Sequence, residues 1–220
     1  MPNSGCAPAD ASTVDEIDPR PRGLLVDWGG VLTTNVFASF DAFCVREGLV
    51  TDQVRVAFVH NPVARRALVG LELGALPESD FEATMAGVLG VDATNLIERL
   101  MGDAGPDLAM MAAVRRARDH GIATGLISNS WGASRYDADQ LRELFDGVVI
   151  SGSVGLRKPT PDIYRLGAES LHLEPADCVF VDDLRGNLKP ARELGMTTVH
   201  HIDAPTTIER LSEIFGVDLH

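Results

Sequence analysis

The sequence predicts an α/β fold: a doubly wound parallel sheet with a block of helices inserted after its first strand. Three observations carry that expectation. Short apolar runs at 23–27, 122–127, 147–150, 178–181 and 196–199 have the length and composition of buried parallel strands. Helical patterns alternate with the last four, as parallel pairing requires. The stretch 34–105 is helical in pattern throughout and offers no strand candidate.

The bulk numbers fit a soluble globular protein. The chain has 220 residues, 45% of them hydrophobic and 23% charged, enough for one large domain or a domain with an insertion. A formal net charge of -13 argues against a nucleic-acid partner, which favours a basic face. It also means that an anion site must gather positive charge locally. Cys6, Cys44 and Cys178 are odd in number and widely spaced, which suggests neither a disulfide framework nor a zinc site. No long apolar run or signal-like N-terminus is present, so no membrane association is expected and the expected location is cytoplasmic. Oligomeric state is not legible.

Taken in order, residues 1–22 carry four prolines among Ala, Ser and Asp, and read as a flexible tail. The first strand, 23–27, runs three apolar residues into Asp27 and then turns on Gly29 and Gly30. Within 34–105, Phe37, Phe40 and Phe43, then Val54 and Phe58, then Phe81 and Met85 recur at helical spacing. Pro77 opens one of these helices, and Asp92 is expected to cap the last, which carries Leu96, Ile97 and Leu100. A helix over 106–120, ended by Gly121, leads into the second strand, which ends at Ser128-Asn129. Helices are expected over 137–145, 161–171 and 187–194, with a plain loop from the third strand to Lys158. Thr206 to Glu209 reads as a capping box on a final helix. The expected division is therefore a tail (1–22), an α/β core (23–33 and 106–220) and a helical insertion (34–105).

Parallel strands bring their carboxyl ends to one edge of a sheet, where open α/β folds bind ligands. Asp27, Ser128, Lys158 and Asp183 all lie at or just beyond such ends. A carboxylate nucleophile, a hydroxyl, a cation and a second carboxylate suit phosphoryl transfer through an aspartyl-phosphate. Two close carboxylates repel each other and an incoming phosphate. A hard divalent cation, Mg²⁺, resolves that.

Four stretches resemble, in order, the motifs of the haloacid dehalogenase (HAD) superfamily. They are Asp27-Trp-Gly-Gly-Val-Leu, Ile127-Ser-Asn-Ser, the Lys158-Pro of the loop after the third strand, and Val179-Phe-Val-Asp-Asp-Leu-Arg-Gly-Asn187. The last is especially similar to the N-terminal phosphatase domains of soluble epoxide hydrolases. The resemblance implies a Rossmann-like HAD core, a mobile helical cap at 34–105 and a small phosphorylated substrate. It makes Asp27, Ser128, Lys158 and Asp183 the catalytic set. Asp27, the carbonyl of Gly29 and Asp183 are the implied Mg²⁺ ligands. Trp28, Gly29, Ser128, Asn129 and Lys158 form the implied phosphate-binding set. Asp182 is given a supporting role, and Asn187 is expected to orient water on the metal.

One departure matters. Most phosphatases of this family carry a second Asp, a general acid and base, where this chain has Gly29. Its loss leaves the source of the proton for the leaving group open. It also keeps alternatives in view: a low-turnover phosphate-binding or regulatory module, or a metal-free dehalogenase, which the Asp182-Asp183 pair disfavours. Bland readings stand beside several other residues. Trp28 and Trp131 can line a mouth or pack against the helical insertion. Adjacent His200 and His201 point to opposite faces of a strand, against a shared metal site. Lys189 and Arg192 suit a solvated helix face. Arg65, Arg66 and Glu72 are candidates for substrate contact from the insertion.

Overall fold

The computed structural model describes residues 20–132 and 136–220. Most of the expected tail, and Cys6 with it, lies outside the described residues. Strand β1 (Gly23–Val26) is followed by five helices: α1 (Val36–Arg46), α2 (Gln53–His60), α3 (Pro62–Glu72), α4 (Glu78–Leu89) and α5 (Leu96–Met101). Next come α6 (Leu108–Asp119), β2 (Ala123–Ser128), α7 (Ala138–Leu144), β3 (Gly147–Ile150) and the single turn α8 (Ser151–Val154). The chain closes with α9 (Pro161–Ser170), β4 (Cys178–Asp182), α10 (Arg185–Glu193), β5 (Thr197–His200) and α11 (Ala204–Phe215). Among the described residues no helix is long and apolar enough to cross a membrane.

The described strands form one five-stranded parallel sheet in the order β3-β2-β1-β4-β5. Strand β1 is central and apolar at every position because both of its faces are covered. Side chains alternate across it. Leu24 and Val26 join Met110 and Val114 of α6 and Ile208 and Leu211 of α11 in one cluster. Leu25 faces the other way, onto Ile163 and Tyr164 of α9 and Leu188 of α10. The chain runs from β1 outward to β2 and β3, then crosses back to β4 on the other side of β1. The strand order therefore reverses beside β1, which places a crevice at the carboxyl ends of β1 and β4.

Helices α1–α5 bury an apolar cluster of their own, built on Phe40, Phe43, Phe81, Met85, Leu96 and Leu100. They join the sheet through a narrow neck. There the Thr34 amide donates to the Gly105 carbonyl at 2.8 Å and the Asp107 amide to the Leu32 carbonyl at 2.9 Å.

Several local expectations are corrected. Asp92 does not cap α5: its carboxylate accepts from the Thr94 amide in the preceding turn. Asn95 precedes α5 instead, with φ 50°, and Glu82 accepts the Ile97 amide at 3.0 Å. The final helix begins earlier than the capping-box reading has it. Asp203 accepts from the Thr206 amide at 2.8 Å, so Thr206 and Thr207 are already inside α11. The loop after β3 is not plain but holds α8. Strand β4 runs one residue further than its apolar pattern, pairing Asp182 with His200. A buried carboxylate is tolerated there because it is fully partnered, as described below.

The cap on α11 is open to direct measurement. Asp203→Ala should lower Tm by roughly 2–4 °C for a chain of this size. Thermal unfolding of Asp203→Ala beside Thr206→Ala checks it: the larger loss belongs to Asp203, and a larger loss at Thr206 would restore the capping-box reading.

Candidate active site

Asp27 is the residue that follows β1, and its amide still continues the ladder, donating to the Val181 carbonyl at 3.0 Å. Its Oδ1 accepts from the Trp28 amide at 2.7 Å and from Lys158 Nζ at 2.7 Å. Lys158 is 1% exposed and reaches a second carboxylate, Asp182 Oδ2, at 2.8 Å. The phenyl face of Phe180 lies 5.6 Å from the ammonium.

The Lys158 main chain is clamped as well. Its amide donates to Asn129 Oδ1 at 2.9 Å, and Asn129 Nδ2 donates back to its carbonyl at 3.1 Å. The strand end after β2 thus fixes the loop that delivers the lysine. The Glu72 carboxylate, a candidate substrate contact, is buried against Arg157, 2.5 Å away, and forms an ion pair between the inserted helices and the lysine loop.

Asp182 is fully buried and every lone-pair direction is used. Oδ1 accepts from the Leu184 amide at 2.8 Å and from Asn187 Nδ2 at 3.0 Å; Oδ2 accepts from Lys158 and from Asn187 Nδ2 at 3.1 Å. Asn187 was expected to orient metal-bound water. Its side-chain nitrogen donates to Asp182, while its main-chain carbonyl accepts from the Tyr164 hydroxyl at 2.8 Å. Asp183 is half-buried at the mouth, with its main-chain carbonyl 3.0 Å from His200 Nε2. His201 points away and meets Thr207 Oγ1 at 2.9 Å.

Asp27, Asp182 and Asp183 each offer an oxygen, and all these atoms lie within 4.8 Å of one another. One ammonium among three carboxylates leaves negative charge uncompensated. Burial pushes the Asp27 carboxyl up to about 8, with Asp182 pushing further and Lys158 pulling back. Burial and the Asp182 charge push Asp183 up to about 6. Burial alone would lower Lys158, but Asp182 and Asp27 together hold it above its ordinary value.

The two glycines after Asp27 differ in what they require. Gly30 has φ +76°, and a Cβ there would sit 2.5 Å from Asp183 Oδ2, so only glycine admits the carboxylate. Gly29 has no left-handed backbone, and a Cβ would meet only Val36 Cγ2, at 3.3 Å. The lack of a side chain at Gly29 is therefore not imposed by backbone conformation.

Ser128 closes β2 and is buried, its Oγ 2.9 Å from the Tyr136 hydroxyl. The rings of Tyr136 and Trp28 pack in a T-shaped arrangement, centroids 5.5 Å apart. Trp131 sits among Phe40, Phe58 and Phe81 of the inserted helices. Above the carboxylates opens a cavity of about 580 Å³, walled chiefly by Phe37, Phe40, Phe58, Leu68, Met101 and Trp131. Asp27, Trp28, Gly29, Ser128, Asn129, Lys158, Asp183 and Asn187 all line it, and Asp182 lies beneath them. Arg65 and Arg66 are exposed outside it, and Lys189 and Arg192 lie on the far surface of α10, paired with Glu193 and Thr198.

Sequence reasoning missed Tyr136, the Glu72–Arg157 pair and the apolar character of the cavity. The repeated aromatics in 34–105 were a signal for the last of these, but at helical spacing they read as core.

A family model for haloacid dehalogenase-like hydrolases matches residues 21–195. Bifunctional epoxide hydrolase 2 of Sus scrofa is 31% identical over 132 residues, 57% of this chain and 24% of that protein. The chain thus spans about a quarter of that relative's length. Sesquiterpene phosphatase astK of Aspergillus oryzae is 26% identical over 190 residues, 76% of this chain and 95% of that protein. A HAD-family enzyme of Bacteroides thetaiotaomicron, solved with magnesium and inorganic phosphate, superposes with a TM-score of 0.60 at 19% identity. It covers 83% of this chain and 94% of that one.

The charge imbalance predicts a pH dependence. Both raised carboxyls bind protons more tightly in the folded state than in the unfolded one. Their contribution to stability is complete below about 4 and is lost as pH rises through about 6 for Asp183 and about 8 for Asp27. In chelator, Asp27→Asn should therefore melt above wild type at pH 8, by about 2–4 °C for each kcal/mol of relief, and the gain should shrink toward pH 5. Melting curves at the two pH values decide it; a variant less stable than wild type at pH 8 contradicts the reading.

Proposed function

The chain belongs to the haloacid dehalogenase-like hydrolases, and from that premise we propose that it is a Mg²⁺-dependent phosphatase. In this reading it works through an aspartyl-phosphate and acts on a small phosphate ester with an apolar body. The observation that carries the reading is the buried Lys158 held between Asp27 and Asp182 at the floor of an apolar cavity.

The donor set suits the metal. Three carboxylates within 4.8 Å, only partly neutralised by one lysine, are hard oxygen ligands with charge to spare. Asp27, the Gly29 carbonyl and Asp183 would hold Mg²⁺, because Asp182 is already saturated by Lys158, Leu184 and Asn187. Bound there, Mg²⁺ supplies charge neutralisation for the phosphoryl oxygens. A dehalogenase reading gains nothing from this surplus of negative charge.

The protein's own groups divide the remaining work. Asp27 presents its carboxylate to phosphorus from a strand end that cannot shift, since its amide is tied to β4. Lys158 stabilises charge on Asp27 and on the transferring group without leaving Asp182. Ser128 donates its hydroxyl to a phosphoryl oxygen. Asn129 contributes by clamping the Lys158 main chain. Water then cleaves the aspartyl-phosphate and restores Asp27. The helices at 34–105 act as a cap: they carry most of the cavity wall, and the two-stranded neck at 32–34 and 105–107 suits a hinge.

The apolar wall favours an ester whose body is a hydrocarbon chain or ring over a sugar phosphate, and one relative is named a sesquiterpene phosphatase. Each buried methylene contributes about 0.8 kcal/mol, so about two of them give a tenfold preference. Phosphate release should therefore require Mg²⁺, and kcat/KM for a ten- to fifteen-carbon isoprenoid monophosphate should exceed that for a hexose 6-phosphate at least about tenfold. Asp183→Ala should raise the Mg²⁺ concentration needed. Metal-independent release, halide release from a haloacid, or a sugar phosphate as the preferred substrate would each overturn a part of this reading.

A further inference from the structure

The first half-reaction leaves a chemical gap. When Asp27 displaces an alkyl ester, the departing oxygen becomes a strongly basic alkoxide unless it receives a proton. Gly29, next but one to Asp27, has no side chain to give one. Among the described groups lining the cavity, Lys158 is held by two carboxylates that keep its proton in place. The Glu72 carboxylate is bound to Arg157. The Thr33 hydroxyl donates to the Thr34 carbonyl, and Asp183 stands at the metal site.

Tyr136 is placed differently. Its hydroxyl lies 2.9 Å from Ser128 Oγ, the group assigned to the phosphoryl oxygens. Its ring packs in a T-shaped arrangement with Trp28, the residue after the nucleophile. It lines the same cavity as Asp27 and the apolar wall. A phosphoryl group that accepts from Ser128 therefore has the Tyr136 hydroxyl two hydrogen bonds away, with only the Ser128 hydroxyl between them. A phenol, ordinarily near 10, keeps its proton at neutral pH and is far more acidic than an alcohol.

We propose that Tyr136 is the general acid and base of the reaction, its hydroxyl turning from Ser128 to donate its proton to the leaving oxygen and recovering that proton from water. This rests on the phosphatase reading above. In the first step a bond forms from Asp27 Oδ to phosphorus, the phosphorus–ester oxygen bond breaks, and the Tyr136 proton moves to that oxygen. The products are an alcohol, the aspartyl-phosphate and a tyrosinate. In the second step water attacks phosphorus, its proton passes to the tyrosinate, and the bond to Asp27 breaks. Inorganic phosphate is released, and Asp27 and Tyr136 return to their starting states.

The test compares leaving groups in wild type and Tyr136→Phe, with Mg²⁺ present. Loss of the proton donor should slow an alkyl phosphate about 10²-fold or more. An aryl phosphate with an acidic phenol should slow less than about threefold, because its leaving oxygen needs little help. An equal loss on both substrates would make Tyr136 a positioning residue for Ser128 and overturn the proposal, as would no loss on either. Site-specific 3-fluorotyrosine at position 136 keeps the shape and the hydroxyl but raises its acidity. It should raise the alkyl-to-aryl rate ratio; an unchanged ratio overturns the proposal even if Tyr136→Phe folds poorly. Asp27→Asn separates the two levels. If wild type turns over without dependence on Asp27, the phosphatase reading itself fails. If Asp27 is required and the leaving-group dependence ignores position 136, only the role of Tyr136 fails.

Discussion

One buried ammonium organises the site. Lys158 lies between Asp27 and Asp182, almost fully buried at the cavity floor, and its position explains the residues around it. Taking charges out of water is costly, and removing the ammonium that both carboxylates share should destabilise by about 3–5 kcal/mol. The surrounding groups offset that cost through hydrogen bonds. Asn187 and the Leu184 amide complete Asp182, Asn129 holds the Lys158 main chain, and the Trp28 amide completes Asp27. Four chain segments far apart in sequence are thereby locked together by one charge.

The arrangement follows from sheet topology. Because β1 is central and the chain reverses direction across it, the ends of β2 and β4 flank Asp27 on either side. Strand β2 supplies Ser128 and Asn129, and β4 supplies Asp182 and Asp183. The lysine has no strand of its own at this edge and arrives by the loop after β3. That loop needs the Asn129 clamp and the Glu72–Arg157 pair to deliver it. The same pair ties the lysine loop to α3, so the apolar cavity and the charged floor are mechanically linked.

Much of this was legible in the residues. Each strand announced itself as a short apolar run because a doubly covered sheet demands one, and Asp27, Ser128 and Asp183 marked strand ends. What was hidden depended on contacts across the chain. Asp182 read as a supporting residue, since nothing local says that it will meet Lys158, 24 positions earlier. Asn187 read as a residue that orients water on the metal, and its spacing could not reveal that its side-chain nitrogen also turns back to Asp182. Tyr136 carried no motif; only the contact of its hydroxyl with Ser128 gives it meaning. The caps at Asn95 and Asp203 were misplaced for a related reason. Asp92 and Thr206 have the right side chains for capping, and the choice among neighbours is made by where the packed helix begins.

The central claim is that Asp27 carries the phosphoryl group covalently. Acid quenching during turnover of a phosphorus-labelled ester, followed by peptide mapping, tests it most directly. The account predicts Mg²⁺-dependent label on the peptide containing Asp27, released by hydroxylamine as an acyl phosphate should be. Label on another residue, or continued phosphate release with no covalent label under conditions that slow the second step, would contradict it.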